Sequence, residues 1–360
     1  MFLLLILVSF GALANDKTLK ICLTGSTEKA IPQYGDAFHN GAKLAFNELS
    51  KSDKKRVELL YSPHDTTPLA PLRKLNELKD EACDAIVGFS TGNDLISIED
   101  RLKNNPIFTL SIYGDPQPRF SRTNYLRTMQ PSSQELVDHL LTKVKIKKRS
   151  KILMVTTIDR SEMTSYRDAF LSRLSKQKNQ ITQIEVLEQA KDLRMLKKIV
   201  AKDKIWDYLI LLTRANIAAE ISDIINEHSS PIILGNKYMG SSELPAFLNF
   251  LKNKKVNAYF SRQNCTCSND AQYQAAVKRY VNVFGVKPMA ISIDTYDAVK
   301  FILQSLKLKD INPISVIKFL NSSDASYNGP SSLSVSTGLK LKVTSRFLIH
   351  VDENGYKDIQ

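Results

Sequence analysis

Short apolar runs alternate with longer amphipathic stretches along most of this chain. LKICLTG (Leu19–Gly25) is followed by a polar loop and then by Tyr34–Leu49, YGDAFHNGAKLAFNEL. In that stretch Phe38, Ala42, Ala45 and Leu49 fall on one helical face, with Gly41 allowing close packing. VELLYS (Val57–Ser62), DAIVGF (Asp84–Phe89) and PIFTLS (Pro106–Ser111) predict further strands. PLRKLNELKDEA and NDLISIEDRLKN, between them, predict helices. Such alternation predicts a parallel sheet covered by helices on both faces. SSQELVDHLLTK then reads as a helix with Ser133 at its cap.

A second block of the same kind begins at KILMVTT (Lys151–Thr157). Strands ITQIEVL, DYLILLT (Asp207–Thr213) and PIILGN (Pro231–Asn236) alternate with helices SEMTSYRDAFLSRL, DLRMLKKIVA and NIAAEISDIINEH. The two blocks share a pattern but no close repeat of residues. From Val256 the pattern changes to a short strand, VNAYFS, and then three helices: DAQYQAAVKRYVNVFG, IDTYDAVKFILQSLK and PISVIKFLN. A Ser/Gly/Asn-rich stretch follows, and SRFLIHVDENGYKDI closes the chain with a hairpin signal at Glu353-Asn354-Gly355. Helices followed by terminal strands predict that the last third revisits both earlier blocks.

The opening MFLLLILVSFGALA is an apolar run too short to span a bilayer comfortably. Its Ala12-Leu13-Ala14 ending reads as a secretory signal over 1–14, cleaved before Asn15, although no Lys or Arg precedes the run. The polar Asn15-Asp16-Lys17 favours export over a buried first strand or helix. No Cys stands at the cleavage point, so no lipid anchor is indicated. The remaining length suffices for two domains. The net charge is +13, but the basic residues are spread along the chain, which favours a solvated lysine-rich surface over a nucleic-acid partner. Of the four cysteines, Cys22 reads as a small core residue of the first strand. Cys83 precedes the third strand. Cys265 and Cys267 lie in a polar loop without a nearby His to complete a zinc set, and the disulfide connectivity stays open.

Several segments, in order, are similar to motifs of the type I periplasmic-binding-protein superfamily, in its leucine/isoleucine/valine-binding branch. Tyr34, Gly35, Asn40, Gly41, Leu44, Ala45 and Glu48 match its Tyr-Gly and NGxxLAxxE opening. DAIVGFSTGN, PIFTLSIYGDP, YLRTMQPSSQE, IDTYDAVKFILQSLK, YNGPSSLSVSTG and VDENGY resemble the motifs that follow. The resemblance implies an α/β fold of two doubly wound Rossmann-like lobes joined by a three-strand hinge. Lobe one would hold residues 15–129 and 261–329, and lobe two 130–260 and 330–360. It further implies an exported, periplasmic, monomeric solute-binding protein without a cofactor. Such a protein captures a small ligand by hinge closure and delivers it to an inner-membrane ABC permease. The alternative is a sensory or regulatory binder of the same fold.

Ligands of open α/β sheets sit outside the carboxyl ends of the strands. In the first block these ends carry Ser26 and Tyr34 in the first loop, Ser90-Thr91-Gly92 after the third strand, and Ser111 and Tyr113 after the fourth. The amides and hydroxyls of Ser90 and Thr91 can hold a carboxylate, the role the resemblance assigns them, or simply cap the next helix. Tyr34 and Tyr113 are candidate walls. In the second block the ends carry Glu162, Thr213, Arg214 and Asn236. Here the branch's D-x-x-Y-G motif reads Asp159-Arg160-Ser161-Glu162-Met163. Asn236 and Lys237 stand where amino-acid binders place an acid for the ammonium group, so a plain aliphatic amino acid is not the expected ligand. Arg214 and Lys237, if they face the cleft, favour an anionic group, and otherwise lie on the surface. A Rossmann-like enzyme is the competing class. No G-x-G-x-x-G, P-loop, G-x-S-x-G or H-E-x-x-H is present, and the five histidines show no ligand spacing. Asp159 and Glu162 could form a carboxylate pair, but two acids at a helix start are also what the helix dipole favours.

Overall fold

Runs of three to seven residues, too short for helices and flanked by turn residues, become the strands of two parallel sheets. The computed structural model describes residues 17–25, 32–65, 67, 69–89, 91–112, 123–158, 161–187, 196, 198–199, 202, 205–226, 230–240, 257–262, 270–331, 333–336, 340–343, 347–352 and 355–358. The apolar opening, the Cys265-Thr266-Cys267 segment and most of DLRMLKKIVA lie outside these residues.

The first sheet contains β1 (Leu19–Thr24), β2 (Val57–Tyr61), β3 (Ala85–Gly88), β4 (Phe108–Ser111) and β5 (Leu126–Thr128). Their spatial order is β2-β1-β3-β4-β5, and every pair is parallel. The second sheet contains β6 (Lys151–Thr157), β7 (Gln180–Val186), β8 (Tyr208–Leu212), β9 (Ile232–Gly235) and β10 (Ala258–Arg262), in the order β7-β6-β8-β9-β10. The two orders are the same, so each sheet reverses its winding between its first and third strands. Two later strands, β14 (Phe347–Asp352) and β15 (Gly355–Asp358), extend the second sheet antiparallel beyond β10. They form the hairpin read from Glu353-Asn354-Gly355, with Asp352 opposite Gly355. A small antiparallel sheet joins β11 (Tyr327–Asn328), β12 (Leu333–Ser336) and β13 (Lys340–Val343).

Both parallel sheets are buried on both faces, and the period of two along each strand sorts the side chains. On β1, Ile21 and Leu23 join a core with Phe38, Phe108 and Phe301, while Cys22 points to the other face with Leu75, Ile86 and Leu102. On β6, Leu153 and Val155 pack with Leu211, Ile221 and Phe260, and Ile152 and Met154 with Tyr166, Phe170 and Ile210.

The helices are α1 (Pro32–Asn47), α2 (Lys51–Lys54), α3 (Ala70–Asp80), α4 (Gly92–Asn104), α5 (Ser133–Lys143), α6 (Ser161–Leu174) and α7 (Ala215–Asn226), followed by α8 (Ala271–Phe284), α9 (Ala290–Leu303) and α10 (Pro313–Leu320). The cap of α5 is Ser132, not Ser133. Ser132 Oγ accepts from the Glu135 amide while the Glu135 carboxylate accepts from the Ser132 amide, and Ser133 is buried in the first turn. This reciprocal pair satisfies two amides that the helix itself leaves open.

Chain order and space diverge in the last third. Val299, Phe301 and Ile302 of α9 and Val316 and Ile317 of α10 complete the core of the first sheet. Leu136, Val137 and Leu140 of α5 belong to the second. The chain therefore passes between the two units after β5, after β10 and again before β14.

Helices α1 and α9 meet at Gly41, where a Cβ would lie 2.1 Å from the Ser292 carbonyl oxygen. Gly41→Ala is therefore expected to cost about 1–3 kcal/mol by overpacking, despite alanine's better helix propensity. Urea denaturation checks this, and an unchanged midpoint would show that the helices can part freely.

Two buried links tie distant segments of the first unit. Cys22 of β1 and Cys83, just before β3, form a disulfide with Cα atoms 5.9 Å apart. Cys22 is the core residue the sequence indicated, and the pairing left open by the sequence is with Cys83. The pairing arises because β1 and β3 are neighbours in the sheet although far apart in sequence. Asp297, within α9, is fully buried and accepts from the Tyr327 hydroxyl at 2.6 Å and the Ser331 amide at 2.6 Å. It thereby anchors the segment that leads from α10 toward the second unit.

Candidate ligand-binding cleft

The winding reversal leaves a crevice at the carboxyl ends of β1 and β3, because the crossovers on either side leave toward opposite faces. In the first unit the turn after β3 is sterically defined. Gly88 adopts φ 151°, and a Cβ there would lie 1.7 Å from the Thr24 carbonyl oxygen. Phe89 follows in the left-handed region at φ 57°, donates its amide to Thr24 O at 3.1 Å and buries its ring. A left-handed non-glycine backbone persists only where its surroundings over-determine it. The turn delivers the chain to α4, whose N-cap is Thr91. Thr91 Oγ1 accepts from the Asp94 amide at 3.1 Å, and the Asp94 carboxylate accepts from the Thr91 amide at 3.1 Å. Ser111 Oγ donates to Phe89 O at 2.8 Å, and Gln130 Nε2 donates to Ile112 O at 2.8 Å. His64, buried after β2, places Nδ1 3.0 Å from Thr24 Oγ1 and Nε2 3.8 Å from Asp94.

In the second unit the matching tips are also polar and buried. Asn236 Nδ2 donates to Thr213 O at 2.9 Å and to Leu211 O at 3.3 Å, so it braces β9 against β8. Thr213 Oγ1 donates to Arg214 O at 3.1 Å. The Lys237 amide donates to the Tyr166 hydroxyl at 3.3 Å. At the end of β6, Thr157 Oγ1 is buried with no hydrogen-bond partner among the described residues, and so is Ser161 Oγ at the start of α6.

The two units touch through these tips. Glu162 on α6 is only 2% exposed, and its Oε1 accepts the Gly92 amide hydrogen of α4. A Cβ on Gly92 would lie 2.9 Å from Ser161 Oγ and 3.3 Å from Glu162 Oε1, so glycine is what lets the two helix starts approach. The start of a helix carries unpaired amides and partial positive charge, which favour a carboxylate.

No family model matches the chain, and no curated protein matches it significantly. Solved structures match it along almost its whole length. The leucine binding protein LivK from Thermotoga maritima superposes with a TM-score of 0.81 at 12% identity, covering 95% of this chain and 98% of the other. The branched-chain amino acid transporter substrate binding protein LivJ from Streptococcus pneumoniae, solved with isoleucine, gives 0.77 at 16%, covering 95% and 99%. A solute binding protein of an ABC transporter from R. palustris, solved with benzoate, gives 0.76 at 12%, covering 95% and 95%. The chain has the type I periplasmic binding protein fold.

The two units are the lobes of this fold, and their strand tips come together where Gly92 meets Glu162. Thr91, Ser111, Glu162, Thr213, Arg214 and Asn236 all stand at those tips. Ser26, Ser90 and Tyr113 lie outside the described residues. Tyr34 is not in the loop but in the first turn of α1, which begins at Pro32, and its side chain is not among those described. Thr91 is the helix cap weighed as the alternative to ligand contact. Lys237 is 6% exposed rather than on the surface, and Arg214 is half-buried. Sequence reasoning missed His64, Thr157 and Ser161. Thr157 and Ser161 end one apolar run and begin the next helix, a position that could have marked them, whereas nothing in the sequence signals the burial of His64.

Proposed function

We propose that this protein is an exported solute-binding protein that closes its two lobes on a small ligand and delivers it to an ABC importer in the membrane. The observation that carries the reading is the meeting of Gly92 with Ser161 and Glu162, helix-start residues of opposite lobes. Contacts that form only when the lobes meet are what couples ligand binding to closure. Lobe one comprises residues 15–129 and 261–329, and lobe two 130–260 and 330–360. The protein acts without catalysis, as a monomer and apart from nucleic acid. The Cys22–Cys83 disulfide supports an oxidising compartment such as the periplasm. No helix among the described residues is long and apolar enough to cross a membrane, which fits a protein that meets its permease at the surface. The similar folds solved with isoleucine and with benzoate support a small organic solute.

The ligand is expected to differ from plain aliphatic amino acids, because Glu162, Asn236 and Lys237 replace the aromatic and acidic groups of those binders. A thermal-shift screen of amino acids, small carboxylates, amides and aromatic acids tests this. A true ligand at about a hundred times its Kd should stabilise by about 2.7 kcal/mol, and small-angle scattering should then report a smaller radius of gyration. A comparable stabilisation by leucine or valine would refute the ligand expectation. A scattering profile that no solute alters, or a single-lobed envelope, would sink the reading as a whole.

A further inference from the structure

We infer that Glu162 is a built-in occupant of the anion seat at the start of α4, and that it turns the cleft against ligand carboxylates and toward solutes that present hydrogen-bond donors to the β6–α6 turn. This rests on the solute-binding reading and names the ligand chemistry of the same cleft. The carboxylate comes from lobe two and reaches an amide of lobe one. Among the described residues that bond is its only partner, and no cation stands within ion-pair distance of it.

A buried carboxylate with one amide partner retains unused acceptor capacity, and leaving it unmatched is costly. Thr157 Oγ1, at the end of β6, and Ser161 Oγ, at the start of α6, are buried and also unpartnered among the described residues. A third observation points the same way. The Asp94 carboxylate already stands one turn into α4, bonded to the Thr91 amide. A solute carboxylate entering here would meet two fixed negative charges at close quarters, whereas an ammonium, amide or hydroxyl group would find a carboxylate and two hydroxyls able to accept. The Gly92–Glu162 bond also links the two lobes. As a single contact it biases closure without locking it, so a ligand still has closure to complete.

Glu162→Ala removes a group the size of acetate and leaves the seat empty. In the full-length protein this variant is expected to show a larger radius of gyration than wild type. Sodium acetate should then restore the wild-type radius and raise the melting temperature saturably. Sodium chloride at equal ionic strength, and acetamide, should do neither. Wild type should ignore all three. Glu162→Gln, which keeps the shape and removes the charge, should fall between the two, and it serves as the test variant if the alanine form does not fold. An alanine variant as compact as wild type, or one whose response to acetate is matched by acetamide or chloride, overturns the inference. A wild-type response to acetate equal to that of the variant does so as well. These outcomes are separable from the function itself. If acetate rescue fails but a solute closes the wild type, solute binding stands without this seat. If rescue succeeds and no solute closes the wild type, the seat stands and the transport reading falls.

Discussion

Replacing Cys22 and Cys83 together with alanine is expected to lower the folding stability by roughly 3–4 kcal/mol. The two residues are 61 positions apart, so their link removes a long loop's freedom from the unfolded chain. Both are buried, in the layer formed by Leu75, Leu78, Ile98 and Leu102. The change therefore also removes two well-packed side chains. Denaturant titration with and without a thiol reductant separates the contributions. Wild type should shift to lower denaturant on reduction, and the double variant should shift less. A midpoint that does not move on reduction would mean that the β1–β3 pairing holds the loop closed without the bond.

Stability should also fall as pH rises between about 4 and 7, and Asp297→Asn should remove a large part of that slope. Burial pushes the Asp297 carboxyl up from its ordinary 3.8 to about 7, against the opposing pull of the Ser331 and Tyr327 hydrogen bonds and the more distant Arg279 charge. The folded protein thus keeps a proton that the unfolded chain releases above about 3.8. Its contribution is fully present below that value and is lost as pH passes through 7, at up to about 1.4 kcal/mol per pH unit. Asp84 is raised in the same direction by burial, so the informative quantity is the difference between wild type and variant. Parallel curves of stability against pH for the two proteins would show that Asp297 is charged throughout.

The alternation of apolar runs and amphipathic stretches was enough to read the two parallel sheets, because each strand is a run buried on both faces. KILMVTT matches β6 residue for residue for that reason. The revisiting of both units by the last third was legible in the succession of three helices and a hairpin. What escaped depends on juxtaposition rather than on pattern. Nothing local says that Cys22 lies beside Cys83, since their proximity comes from a crossover that sets β3 next to β1. The departure at Glu162 was visible, but its contact with Gly92 follows from how one lobe faces the other. The cap of α5 is a different case: Ser132 and Glu135 have the spacing of a reciprocal cap, and that spacing favours Ser132 over its neighbour.

The crossings between lobes also constrain the order in which a nascent chain can finish folding. β10 is made before α8, α9 and α10, yet its antiparallel partner β14 is made after all three. Lobe one can bury its core once the chain has passed Ser331, while β10 still presents an unpaired edge. Exposed edges invite pairing with other chains. A translation product stopped at Ser331 should therefore aggregate through lobe two even though lobe one has its core.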